Sequence, residues 1–236
     1  MKRIIAIAVA GTPPKKALNT YGNFEQWIQG NHPTEDFIVF DAAEPEQYPN
    51  TDTLLGVIIT GSASMVTDRE PWVVRLEQWV QTLTQHQVPT LGICYGHQLL
   101  AQALGGTVEF HPQGREIGTV PIELTDACEQ DPLFSLSPKS FSANVTHAQS
   151  VSTLPPDSVL LAKNNYEPIH AFRVGSCAWG VQFHPEFTAN VMRFYLFERY
   201  DSLIEQGLDI KQLFDGITNT EESRAVLDNF IALCQS

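Results

Sequence analysis

Basic residues are few in this chain: 14 Lys+Arg against 27 Asp+Glu leave a formal charge of −13 at pH 7. A protein of that balance repels polyphosphate and offers no cationic face, so a DNA or RNA partner is not expected. Long apolar runs are missing too. The longest near the start, Ile4 to Ala10, is far shorter than the ~18 residues of a membrane helix and has no small-residue cleavage site behind it. No membrane association is expected, and the protein reads as cytoplasmic. Cysteine is scarce, and Cys94, Cys128, Cys177 and Cys234 are dispersed without a C-x-x-C, which fits a reducing compartment better than a disulfide framework. There is no H-E-x-x-H, no cysteine pair, no close histidine spacing, no Walker loop and no G-x-G-x-x-G, so neither a metal nor a cofactor is expected. The sequon Asn144-Val145-Thr146 reads as chance.

What is present is ordinary globular material, 43% hydrophobic and 17% charged over 236 residues, which excludes a disordered, collagenous or coiled-coil protein. The length fits one domain over 1–236, with a core of about 4–195 and a C-terminal helical extension of about 196–236. Arg3 to Ala10, Asp36 to Asp41, Gly56 to Thr60 and Pro89 to Cys94 are near-continuous apolar segments of the kind buried in a parallel sheet. Between them, Tyr21 to Gln29 predicts a helix capped at Gly30, and Pro71 to His86 predicts one carrying Val73, Leu76, Trp79, Val80 and Leu83 on a single stripe. From Thr107 onward the segments shorten (Gly118 to Leu124, Val159 to Ala162, Ile169 to Val174, Ala178 to His184), which predicts antiparallel additions. Ala189 to Glu205 and Glu221 to Leu233 predict helices, the second with Thr220 as its cap. The pattern is α/β: a three-layer protein with a mostly parallel central sheet, helices on both faces and a small antiparallel addition. Phe194, Tyr195, Leu196, Phe197 and Tyr200 are expected to pack on the far side of that sheet, the alternative being a partner interface.

The chemistry centres on Cys94. An apolar strand from Thr90 runs into it, and a helix continues through Leu104. Gly92 and Gly96, two positions to either side, are what a sharp strand-to-helix elbow requires, because a Cβ on either flank would clash. An elbow also sets the sulfur at a helix N-terminus, where unpaired N–H groups favour a thiolate and can donate to an oxyanion. The plain alternative is that Cys94 is a small buried hydrophobe. A nucleophilic thiol wants a base nearby. His184 ends an apolar strand, and Pro185 holds it extended, so Glu186 projects to the same side as the imidazole. Glu186 can then keep one ring nitrogen protonated and leave the other free for the thiol. Alternatively, Glu186 is simply an acid in the first turn of the next helix. Gly61 and Ser62 follow a central strand, and one of their amides is a candidate second oxyanion donor alongside the amide of Tyr95.

Taken together, GICYGHQ around Cys94, GVQFHPEF around His184 and Glu186, and the small-residue turn at Gly61 resemble the class I (triad-type) glutamine amidotransferase family. The resemblance extends to the amidotransferase domain of GMP synthetase and to standalone γ-glutamyl peptidase-like relatives. It implies a flavodoxin-like sheet and hydrolysis of a γ-glutamyl amide through a cysteinyl thioester, with Cys94 as nucleophile, His184 as base and then acid, and Glu186 as its orienter. It further implies an oxyanion hole from Tyr95 and Ser62 or Gly61, and substrate contacts from Gln98, Thr146, His147 and Ala148, with His97 structural. The implied partner is a small-molecule γ-glutamyl substrate. A 236-residue chain leaves no room for a synthetase domain, so any acceptor of the released ammonia is expected on a separate chain. The family's usual acid near the substrate amine is absent from Thr146-His147-Ala148-Gln149; Glu116 is the candidate to replace it, or else is a solvated charge. The competing functions are a γ-glutamyl peptide hydrolase and a catalytically silent binding module.

Overall fold

Apolar strands without polar alternation need cover on both faces, and that requirement organises the molecule. The computed structural model describes residues 3–30, 32–33 and 35–236. Its first half runs β1 (Ile4–Val9), α1 (Lys15–Tyr21), α2 (Phe24–Gln29), β2 (Phe37–Asp41), β3 (Leu54–Ile59), α3 (Pro71–Gln85), β4 (Thr90–Ile93), α4 (Tyr95–Ala103) and β5 (Thr107–Phe110). There follow β6 (Glu116–Leu124), β7 (Ser140–His147), β8 (Gln149–Thr153), β9 (Ser158–Lys163), β10 (Ala171–Val174) and β11 (Ala178–Val181). Four helices close the chain: α5 (Ala189–Glu198), α6 (Tyr200–Glu205), α7 (Ile210–Gly216) and α8 (Glu221–Gln235).

A nine-stranded sheet has the order β2-β1-β3-β4-β11-β10-β9-β6-β7. Its strands from β2 to β11 are parallel, and from β10 onward each is antiparallel to its neighbour. β5 and β8 form a separate antiparallel ribbon. The period of two puts alternate residues on opposite faces. Ala6, Ala8, Val57 and Ile59 meet Val73, Leu76, Val80 and Leu83 of α3 on one side. Ile5, Ile7, Ile58, Leu91 and Ile93 meet Val226, Leu227 and Phe230 of α8 on the other. Phe230 is fully buried, with its ring edge-on to Trp179 at 6.4 Å. Phe230→Ala is therefore expected to cost about 3–5 kcal/mol, a fall in Tm of roughly 2–4 °C per kcal/mol for a chain of this size. Thermal melting checks it, and a loss below 1 kcal/mol would show that α8 is not part of the core.

Some local expectations change. The helix expected over Tyr21 to Gln29 is two helices, because Gly22 takes φ 83° and Asn23 opens α2 with a capping box to Gln26. Gly30 ends α2 in a right-handed conformation, φ −58°, and not as a left-handed cap. The helix expected from Ala189 breaks at Arg199 into α5 and α6. Thr220 precedes α8 but gives it no side-chain cap; its hydroxyl accepts from Asn144 Nδ2 at 3.3 Å. Asn144 is fully buried, which removes the sequon from any surface. The aromatic helix α5 does not cover the sheet's far side. Tyr195 and Leu196 pack with Ala17, Phe24 and Phe187 in a third cluster, beside His184. Among the described residues no helix is long and apolar enough to cross a membrane.

Candidate active site

Parallel strands end on one edge of a sheet, so the segments that follow them converge there. β3 leads into Gly61 and Ser62, β4 into Cys94, and β11 towards His184. β4 and β11 are neighbours in register, with Ile93 opposite Val181. The Cys94 amide donates to the Val181 carbonyl at 2.8 Å. Residues far apart in sequence thus become adjacent because their strands pair.

Cys94 stands at φ 51°, ψ −95°, outside the left-handed helical basin, a backbone state that costs on the order of 1–3 kcal/mol. Its surroundings enforce it. A Cβ on Gly92 would drive into the Gly96 carbonyl, and one on Gly96 into the Ile59 carbonyl. The first helical bond of α4 runs from Gln98 N to the Cys94 carbonyl at 3.2 Å, which leaves the Tyr95 N–H at the open N-terminal turn without a helical acceptor. The Tyr95 ring turns away, buried and stacked on Trp72 at 5.9 Å. The Cys94 thiol reaches the Thr146 carbonyl only at 4.0 Å.

His184 is buried between Phe24 and Phe187, whose rings stack on it at 6.3 and 4.0 Å. Its Nδ1 lies 2.7 Å from Glu186 Oε1, while Nε2 is buried with no hydrogen-bond partner. Burial favours the neutral ring, yet the charges of Glu186 and of the Cys94 sulfur outweigh it and raise the imidazole to about 10. Gly61 packs against this ring; a Cβ there would sit 3.0 Å from His184 Cε1.

Two small adjoining hollows share Cys94, Ser62, Ala63, Thr146 and Arg199. The first is also lined by Tyr95, Gln98, His147 and Ala148, the second by His184 and Tyr195. The candidate residues Ser62, Tyr95, Gln98, Thr146, His147 and Ala148 therefore gather around Cys94, whereas Gly61 lines neither hollow. Gln98 Nε2 is held by the Gln149 carbonyl at 2.8 Å and Gln182 Oε1 at 3.0 Å, which leaves its own oxygen for a ligand. Glu116 does not replace the missing acid. Paired opposite His147 across β6 and β7, it is buried against His147 Nε2 at 2.9 Å, His170 Nε2 at 3.3 Å and Asn164 Nδ2 at 2.8 Å. Burial alone would raise its pKa; the hydrogen bonds and charges of the two histidines reverse that and hold the carboxyl well below its ordinary range. His97 is fully buried against Phe172 and held neutral, its pKa lowered to about 3 by burial, in keeping with a structural role. Arg115, Arg199 and Phe24 had drawn no functional reading: none lies in the sequence neighbourhood of Cys94 or His184. Among the described residues no group of three or more His, Cys, Asp or Glu side chains gathers as metal ligands would.

Sheet, elbow cysteine and neighbouring histidine together define an α/β protein of the strand–elbow–helix kind, with its site at the carboxyl ends of parallel strands. The chain belongs to the class-I glutamine amidotransferase family, an enzyme family whose sequence pattern matches residues 35–202. It is 30% identical to gamma-glutamyl peptidase 5 of Arabidopsis thaliana over 209 residues, 87% of this chain and 78% of that protein. It is 33% identical to a glutamine-hydrolyzing GMP synthase of Thermosipho melanesiensis over 171 residues, 72% of this chain but 31% of that protein. The fold matches a glutamine amidotransferase from Thermotoga maritima with TM-score 0.76 at 19% identity, covering 100% of both chains. It also matches one from Methylobacillus flagellatus with TM-score 0.72 at 22% identity, covering 99% of this chain and 95% of the other.

Proposed function

We propose that the protein hydrolyses a γ-glutamyl amide through a thioester on Cys94. The observation that carries this reading is the strained elbow cysteine sharing a hollow with a histidine whose far nitrogen is 2.7 Å from Glu186. In the proposed cycle the Cys94 sulfur adds to the γ-carbonyl, and the oxyanion is received by the amides of Tyr95 and Ser62, with Gly61 holding the His184 ring. His184 Nε2, held protonated by Glu186, gives its proton to the departing nitrogen, then takes one from the water that cleaves the thioester. Gln98 and the Thr146-His147-Ala148 strand end carry the glutamyl end of the substrate. The whole chain, 1–236, is proposed to act as one unit in a reducing, cytoplasmic setting; its four cysteines are free and buried. Where ammonia is the product, its acceptor would be a separate synthetase; the match to a GMP synthase covers 31% of that protein.

Incubation with glutamine and, separately, with γ-glutamyl dipeptides tests the reading by scoring ammonia against released amino acid. Turnover with a γ-glutamyl adduct trapped on Cys94 is the expected result. No turnover of either, with Cys94→Ser equal to wild type in every assay, overturns it. The role of Glu186 has its own signature. His184 is raised, so the imidazolium and the stability it lends the fold are fully present below about pH 6.5 and fade as pH climbs towards 10. Glu186→Gln removes a charge within hydrogen-bond reach and is expected to bring the alkaline limb of kcat/KM down by about 1–3 pH units. A pH profile unchanged by this substitution would remove Glu186 from the machinery.

A further inference from the structure

Glu186 has a second oxygen that the proposed cycle does not use. Its Oε1 lies 2.7 Å from His184 Nδ1, while its Oε2 is buried with no hydrogen-bond partner. A buried anionic oxygen is costly unless charge or donors face it. What faces this one comes from α8, at the far end of the chain. Glu186, Thr220, Glu221 and Arg224 line a further hollow, which shares no lining residue with the two at Cys94.

The start of α8 suits an anion. Its first helical bond runs from Arg224 N to the Thr220 carbonyl at 3.0 Å, so the N–H groups of Glu221, Glu222 and Ser223 have no helical acceptor. Thr220 gives them no side-chain cap. The positive end of a 15-residue helix therefore stands at the hollow that Glu186 lines. Arg224, one turn in, adds a full charge. Its guanidinium is held by Asp228 at 3.4 Å and donates to the Trp27 carbonyl at 3.3 Å. Burial lowers the Arg224 pKa, and the charges of Asp228 and Glu186 oppose that fall. Two other titratable groups face the carboxylate. Glu221 is exposed to solvent, and Tyr195 of α5 is kept as the neutral hydroxyl, raised by burial and by the charge of Glu186. Val226, Leu227 and Phe230 anchor α8 in the core, which fixes its first turn relative to the site. On the hydrolytic reading above, on which this rests, we infer that Arg224 is a positioning residue: with the first turn of α8 it holds Glu186 as the anion with Oε1 on His184. The C-terminal helix thereby tunes the pairing of His184 with Cys94.

The test is a double-mutant cycle with two readouts. One is kcat and KM for glutamine and for γ-glutamyl-alanine; the other is the rate of Cys94 alkylation by iodoacetamide at pH 7, which needs no turnover. R224Q is expected to lower kcat and the alkylation rate by about 3- to 10-fold, less than a direct ion pair because solvent enters the hollow. KM is expected to stay within about twofold, since Arg224 lines neither hollow at Cys94. R224K keeps the charge and is expected to restore most of both rates. In the E186Q background, R224Q is expected to change neither, because the anion it serves is gone. Wild-type rates in R224Q overturn the inference. So does a loss that R224K fails to restore, or one that recurs in full on E186Q, since either marks a misplaced helix. Hydrolysis with an uncoupled cycle removes the role of Arg224 alone. No hydrolysis of either compound, with alkylation coupled as expected, removes the hydrolytic reading and leaves the hold of Arg224 on Glu186 standing.

Discussion

Cys94→Ala is expected to lower γ-glutamyl amide hydrolysis by about 10⁴-fold or more, because a nucleophile acting as one unit with its base leaves only oxyanion stabilisation behind when removed. Alanine keeps the Cβ and the same backbone demand at φ 51°, so the fold is expected to survive and the melting temperature to move little. That separation of chemistry from stability is the informative part. Thiol labelling supplies an independent readout. Burial pushes the Cys128 thiol up to about 11 and Cys234 up to about 12, and raises Cys177, so those three stay protonated near neutral pH. Cys94, with an imidazolium partner and two hollows opening onto it, is expected to alkylate first and alone. Uniformly slow labelling of all four cysteines would favour a silent binding module instead.

Gly96→Ala is expected to damage both the fold and the site. The added Cβ would meet the Ile59 carbonyl and, at 3.1 Å, the Ile59 side chain. The carbonyl belongs to β3 and cannot swing aside, so α4 must lift. Overpacking of this kind costs about 1–3 kcal/mol. Lifting α4 also shifts the thiol against His184, which sits on the neighbouring strand's extension, and a displacement near 1 Å costs roughly 10²-fold in rate. Gly216→Ala, with nothing within 4 Å of its added Cβ and no positive φ, is the control expected to match wild type. If Gly96→Ala also melts and turns over like wild type, the close approach of α4 to β3 is wrong.

The parts of the site that could be read along the chain are those whose geometry is local. Gly92 and Gly96 flank Cys94 at fixed offsets, and Pro185 ties Glu186 to His184 within two residues. The buried parallel strands were equally plain, because continuous apolar runs have one common use. β7 and β8 escaped notice: Ser140 to Thr153 mixes Ser, Thr, Asn and Gln with apolar residues, a texture shared by loops, and their partners β6 and β5 were needed to give them a register. Glu116 was open to two readings until its cross-strand partner His147 and the neighbouring His170 drew it inside.

The amino-acid order alone determined that a cysteine would stand on a bent backbone at a helix start and that a histidine and a carboxylate would travel together, since sterics over a few residues decide both. Only the tertiary structure decided that these groups meet, because that depends on β4 lying beside β11. It also decided the character of the pocket. Arg115 and Arg199 reach Cys94 from the start of β6 and the break after α5, and charge convergence across such separations is a property of chain topology that no local pattern encodes.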